Sequence, residues 1–324
     1  MYRKISAILI PTIIAVGIIA YMLYRVWGDL LTALQHVVPL FLVAAILVCL
    51  ASWWLRGWRY NQILNGLSYR AGVTFSMACV FVSQTVNLIV PARLGDFVRI
   101  FILKHEFKAT YSEGISSLVV ERVFDIVAIA LLGAASLLFI PNLPGWVDVY
   151  ITIMIVILAV AFAFFIFLIF AGRLTTTNKY VRYLLTMLEE IRKASLSIRA
   201  ILILGISSII IWLFDTVVCY SVALMFQQQI PFSVVLLAIV LGNLVKAVPI
   251  TPGGIGTYEL VVSATFAITG VGPAVAFLIA VVDDLIKNLT TLAGGIVSIY
   301  YLGDWVIPTI KSALSSKLDG KGDA

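Results

Sequence analysis

A chain of 324 residues in which 62% are hydrophobic and only 12% charged excludes a soluble globular domain, which would carry about 25% charged residues to coat its surface. With a mean hydropathy of +1.10 and several apolar runs near the ~20 residues that cross a bilayer, the composition defines an all-α polytopic integral membrane protein. The net charge of +6 would suggest nucleic acid on a soluble protein; here it fits basic loops held in the cytoplasm, and no nucleic-acid partner is expected.

In chain order, "ISAILIPTIIAVGIIAYMLY" (5–24) is too long for a signal-peptide core and lacks a small-residue cleavage site, so it reads as the first span. Residues 37–55 form the second, followed by a basic loop at 56–70 (Arg56, Arg59, Arg70). The apolar stretch 73–90 then runs into "PARLGDFVR" and a second basic loop at 93–108. Full spans are predicted at 116–140, 149–171, 200–226 and 273–302, with an amphipathic interfacial helix at 179–199. A second apolar stretch, 232–248, breaks at "PITPGGIGTYE".

Charge decides how the broken stretches sit. If 73–100 dips in and returns, the basic segments on either side of it both stay inside. Of 22 Lys and Arg, only Arg25 then lies outside, and only Arg122, Lys246 and Lys287 lie within the membrane. The same bookkeeping makes 232–270 dip from the opposite face. The expected architecture is about six full transmembrane helices plus two re-entrant helical hairpins, in one membrane domain (1–310) with a short polar tail (311–324). The protein is expected to be multi-pass in the cell membrane, with both termini cytoplasmic.

The two breaks resemble each other. Asn87-Leu88 precedes Pro91, Gly95 and Asp96; Asn243-Leu244 precedes Pro249, Pro252, Gly253, Gly254, Gly256 and Glu259. Pro91 stands as far before Asp125 as Pro249 stands before Asp283, and, about one helical turn out of that register, Glu121-Arg122-x-x-Asp125 matches Asp283-Asp284-x-x-Lys287. Pro/Gly-interrupted segments at corresponding places in two halves point to an inverted repeat and a midplane binding site.

The charged helices sharpen this reading. Glu121, Arg122 and Asp125 each cost about 2.5–3.5 kcal/mol at a helix centre, while each Val, Ile, Leu or Phe around them returns only about 0.3–0.6. Such groups turn to protein or to a hydrated cavity. They can serve as buried pairs, Arg122 with Asp125 and Asp283 with Lys287, or line a substrate or proton path. A helix starting after "TPGGIG" would aim free backbone N–H groups at an anion. Arg93 and Arg99 would add mobile positive charge at the entrance, and Asp96 would cap its own helix. Lys246 is expected to face the same cavity. Cys49, Cys79 and Cys219 are scattered in apolar segments, and His36 and His105 lie in different loops, so neither a disulfide framework, a metal site nor a cofactor is expected.

At "NLIVPARLGDFVRIFIL", "SSLVVERVFDIVAIALLGA" and "PITPGGIGTYE" the chain resembles the lysylphosphatidylglycerol synthase transmembrane-region family, also called flippase-like domain proteins. The resemblance covers about residues 5–305. It implies a domain that carries an aminoacylated phosphatidylglycerol to the outer leaflet, and it matches family motifs at Asn87, Pro91, Arg93, Gly95, Asp96, Arg99, Glu121, Arg122, Asp125, Pro249, Pro252, Gly253, Gly254, Gly256 and Glu259. The family's bifunctional members add a large soluble synthase domain; here "KSALSSKLDGKGDA" follows instead, so aminoacyl transfer is not inferred.

The expectation is a lipid flippase or transporter, not an enzyme, that passes an anionic or lipid-linked head group between two inverted halves. Asn87, Arg93, Glu121, Arg122, Asp125, Asn243, Lys246, Asp283, Asp284 and Lys287 and the two breaks would form its path. Its partner is a membrane phospholipid or lipid-linked substrate, with a homo-oligomer and a lipid-modifying enzyme left open. The alternatives are an ion-coupled carrier of a small solute and a membrane partner of a lipid-modifying or glycosyl transferase.

Overall fold

The computed structural model describes residues 37–90, 93–140, 147–171, 179–247 and 251–310, together with 17, 19–22 and 24. Pro91, Pro249, most of the first predicted span and the tail lie outside these residues. The described chain is helical, with no strand among the described residues: α1 (Pro39–Gly66), α2 (Val73–Ile89), α3 (Gly95–Phe107), α4 (Tyr111–Leu137), α5 (Val147–Ala171), α6 (Lys179–Ser195), α7 (Ile198–Met225), α8 (Phe232–Ala247), α9 (Thr257–Phe266) and α10 (Pro273–Leu302). A 3₁₀ turn, Pro252–Gly254, joins α8 to α9. By length and composition, α1 and α7 are able to cross a bilayer.

The helix ends follow local chemistry. Pro39 opens α1, where a missing N–H costs nothing. Thr110 and Glu113 form a reciprocal capping box that starts α4 at Tyr111, earlier than the predicted 116. Two expected loops are helical. Most of 93–108 is the helix α3, with His105 in its last turn, because Val98, Ile102 and Leu103 recur at helical spacing and are buried. Residues 56–66, expected as loop, continue α1, because Tyr60, Ile63 and Leu64 recur at helical spacing and are fully buried. Arg56 and Arg59 therefore belong to a packed helix and not to a basic loop.

The most extensive helix–helix contact is the antiparallel pair α1 and α7. Val38 N–H donates to Met225 O at one end (2.9 Å), Ser52 Oγ to Asp215 midway (3.0 Å), and Arg59 to Ser208 Oγ toward the other end (2.6 Å). Each helix is followed by a helix–break–helix hairpin, α2/α3 after α1 and α8/α9 after α7. Because α1 and α7 run in opposite directions, the hairpins start from opposite ends of the bundle. The packing is reciprocal. α2 lies on α10 and α8 on α4, while α3 and α9 each pack on the long helix that follows them. The tips meet: a methyl group on Gly253 would stand 3.2 Å from Leu88 Cδ2.

Polarity is inverted relative to a soluble protein. The surface of α5 carries Val149, Ile155, Val160 and Phe162 exposed, and α10 exposes Leu285, Leu289, Ile296 and Val297. Arg59, Arg99, Glu121, Asp125, Asp283 and Asp284 are inside. In a bilayer that arrangement removes each charge from lipid and leaves only hydrocarbon facing it. Small residues allow the close crossings. A Cβ on Gly95 would fall 2.1 Å from the carbonyl oxygen of Ser83, so only glycine lets α3 approach α2 this closely.

Candidate functional site

Where the hairpin tips meet, the bundle forms a partly open cavity of about 290 Å³, walled by α1, α2, α4, α7, α8, α10 and both breaks. Its wall includes Asn87, Arg93, Glu121, Arg122, Asp125, Asn243, Lys246, Gly253, Gly254 and Lys287. Gly95, Asp96, Arg99, Gly256, Glu259, Asp283 and Asp284 stand outside the lining, several of them bonded to it from behind. Pro252 sits in the 3₁₀ turn beside it.

The ionisable groups are almost all matched. Arg59 on α1, 1% exposed, grips Asp125 through both nitrogens (2.5 and 3.2 Å) and lies 3.5 Å from Glu121. Arg99 on α3 is wholly buried, bonded to Glu121 and stacked over the Tyr60 ring at 4.5 Å. It therefore supplies no mobile charge at an entrance; it pins the first hairpin to α4. Arg122 reaches Asp96 at 3.3 Å, and its predicted partner Asp125 only at 4.0 Å, because Arg59 has taken that carboxylate. Asp96 does not cap its own helix. It accepts from Arg122, from Asn87 (3.0 Å) and from Ser83 (3.2 Å).

The second hairpin is held the same way. Lys246 bonds to Asp284 and lies over the Tyr258 ring at 3.9 Å. Tyr258 donates to Asp283 at 2.5 Å, and Asp283 also takes Lys287, as expected, at 2.8 Å. Gly254 has φ +78°, and a Cβ there would stand 2.4 Å from Lys246 Cγ, so glycine is needed both for the turn and for the lysine to pass. The start of α9 is less open than expected: Glu259 accepts from the Gly256 N–H at 2.6 Å, so that donor is already used.

Sequence reasoning missed the α1–α7 contribution. Arg56 bonds to Asp215 at 2.6 Å and lies 5.8 and 5.6 Å from the Trp53 and Trp212 rings, all four lining the cavity. The signal was present in Asp215, an acid within an apolar span, like Glu121. Arg93 stands apart. It is exposed to the cavity at the first break, its backbone is left-handed (φ 53°), and among the described residues its side chain has no ion-pair partner. A non-glycine residue held in that conformation marks a constrained position. Among the described residues no group of three His, Cys, Asp or Glu could hold a metal, and Cys49, Cys79 and Cys219 are free and buried.

Apolar flanks around a charged, paired interior define an α-helical membrane protein. The family can be given as well: residues 8–295 match the lysylphosphatidylglycerol synthase TM region, and the chain belongs to that family. It is 30% identical to the protein named glycosyltransferase AglD of Haloferax volcanii, over 93% of this chain and 55% of that protein, so it spans little more than half of that relative's length. A UPF0104 membrane protein of Methanothermobacter thermautotrophicus is 23% identical over 92% of this chain and 95% of its own. One of Methanocaldococcus jannaschii is 26% identical over 66% of this chain and 93% of its own.

Proposed function

We propose that the protein is a lipid flippase or transporter that passes an anionic or lipid-linked head group through the central cavity while the hydrocarbon tails stay in the bilayer. The observation that carries this reading is the meeting of two hairpin tips, from opposite ends of the bundle, at a polar cavity lined by Arg93, a cation with no ion-pair partner among the described residues. The hairpin helices have 17, 13, 16 and 10 residues, short of the ~20 that cross, which supports re-entrant hairpins in an inverted repeat. The cavity is large enough for one head group and too small for acyl chains, near the lower end of the ~300–1,000 Å³ of small-molecule sites.

The orientation follows the charge. Gly66 abuts Ala194, and His105 stacks on Trp305 at 4.0 Å, so the basic segments near them gather at one end of the bundle. That end faces the cytoplasm by the positive-inside rule, with the protein multi-pass in the cell membrane and both termini inside. The chain itself catalyses no reaction in this reading.

The test is reconstitution in vesicles holding fluorescent anionic lipids of several classes. Exposure of head groups faster than in empty vesicles supports the proposal; no acceleration for any class overturns it. A second reading has one observation in its favour, the name glycosyltransferase borne by the relative AglD. In that reading the chain is the membrane partner of a lipid-modifying or glycosyl transferase. Co-purification with such an enzyme, without lipid movement, would favour it.

A further inference from the structure

The ion pairs of the interior are not equally tight. Arg59 meets Asp125 through two nitrogens, and Arg99 is bonded to Glu121. In the second hairpin Lys246 is bonded to Asp284, which also accepts from Asn288 (2.7 Å), and Asp283 takes both Lys287 and Tyr258. The pair between Arg122 and Asp96 is the loose one. A single nitrogen of Arg122 serves both oxygens of Asp96, at 3.4 and 3.3 Å, well beyond the ~2.7–2.9 Å of a charge-assisted bond. Its other terminal nitrogen stands 4.0 Å from Asp125. The Arg122 side chain is 29% exposed, whereas those of Arg59 and Arg99 are closed off.

Arg122 lines the cavity together with Arg93, while Asp96 stands behind the wall. Arg93 has no acid within ion-pair distance among the described residues. The charge that bears on it most is Arg122, ahead of Asp96, Asp125 and Glu121. Two guanidinium groups on one wall repel each other where the dielectric is low. An anion between them removes that cost, and phosphate suits the pair because each planar fork presents two N–H groups to its oxygens. Asp96 is able to give Arg122 up. It keeps the amide N–H of Asn87 (3.0 Å) and the hydroxyl of Ser83 (3.2 Å), and Ser83 in turn accepts from Arg99 (3.5 Å).

We propose that Arg93 and Arg122 form a two-armed clamp for a phosphate group, and that Asp96 is its built-in competitor. Arg122 exchanges Asp96 for the arriving phosphate, and the exchange unties the tip of the first hairpin from α4. Arg99 stays on Glu121, one turn further along α3, so the tip is released while the body of the hairpin remains pinned. The proposal rests on the lipid-transport reading, names phosphate as the group recognised and says how its binding reaches the fold.

Binding is measured apart from translocation, by calorimetric titration of the full chain in detergent at low salt. Two probes separate the sources of phosphate: a short-chain phosphatidylglycerol and inorganic phosphate. Asp96→Asn keeps the size of the side chain and removes the competing charge. It should bind the better probe about tenfold more tightly than the unaltered chain does, and Arg122→Gln about tenfold less tightly, the worth of one hydrogen bond from a charged group. The double variant Asp96→Asn/Arg122→Gln should lose the gain. An Asp96 that merely holds Arg122 in place predicts the reverse order. Weaker or unchanged binding by Asp96→Asn therefore overturns the proposal, as does a gain that persists without Arg122, or no binding of either probe. Should Asp96→Asn fail to fold, Leu94→Cys at the hairpin tip decides with the clamp intact. The better probe should speed its labelling by a maleimide above the background of the native thiols, and an unchanged rate overturns the proposal. Phosphatidylglycerol binding more tightly than inorganic phosphate agrees with lipid transport. Inorganic phosphate binding as tightly, with the same order of variants, supports the clamp and counts against the transport reading alone.

Discussion

Arg59 and Arg93 lie in one protein and pose opposite problems. Arg59 is 1% exposed and grips Asp125 with two nitrogens. Removing Asp125 leaves Arg59 buried with only Glu121, 3.5 Å away and already bonded to Arg99, to compensate it. Asp125→Ala should therefore cost about 3–5 kcal/mol, and the double variant Arg59→Met/Asp125→Leu less than the single one. Thermal melting of the detergent-solubilised variants checks the order; a double variant less stable than Asp125→Ala would refute it. Arg93 has no described ion-pair partner to lose. Arg93→Gln should leave the melting temperature unchanged and slow movement of anionic lipids by about tenfold or more, the worth of one hydrogen bond from a charged group. Fluorescent-lipid assays in vesicles read that loss.

At the scale of elements, the hairpins depend on glycine at their tightest crossings. Gly95→Ala would press a methyl group against the Ser83 carbonyl oxygen, a backbone atom that cannot swing aside. The hairpin must splay, at a cost of about 1–3 kcal/mol of overpacking, and Arg99 and Asp96 move away from Glu121 and Arg122 with it. The expected result is lower thermal stability together with lost transport; Gly270→Ala, where a Cβ meets open space, should cost only the strain of its positive φ and leave transport intact. Helix existence was legible in the sequence at this scale, since apolar length and Pro or Gly punctuation are local. The end of α1 was not. Arg56 and Arg59 look like loop charges until Asp215 and Asp125 are known to stand opposite them, and α7 lies more than a hundred residues away along the chain.

For the whole molecule, the antiparallel α1–α7 pair makes the two hairpins enter from opposite ends, and this carries a topological prediction. A single cysteine in place of Lys108, at the open end of the first hairpin, should label from the cytoplasmic side. One in place of Val271, at the open end of the second, should label only from outside. Labelling of both from one side with an impermeant maleimide would refute the inverted arrangement, whatever its effect on transport.

The sequence by itself determined that this chain lives in a membrane, where its apolar helices and their breaks lie, though not where each helix ends, and that Glu121, Asp125, Asp283 and Lys287 must turn inward. Those features are local, fixed by the cost of exposing charge or unpaired backbone to hydrocarbon. Apart from Asp283 and Lys287, one turn apart on α10, only the tertiary structure decided which charges pair. It gave Asp125 to Arg59 and not to Arg122, spent Arg99 on Glu121, and left Arg93 on the cavity wall with no ion-pair partner among the described residues. Pairing depends on which helices are brought side by side, and a buried charge is satisfied by its nearest neighbour in space, wherever that neighbour sits along the chain.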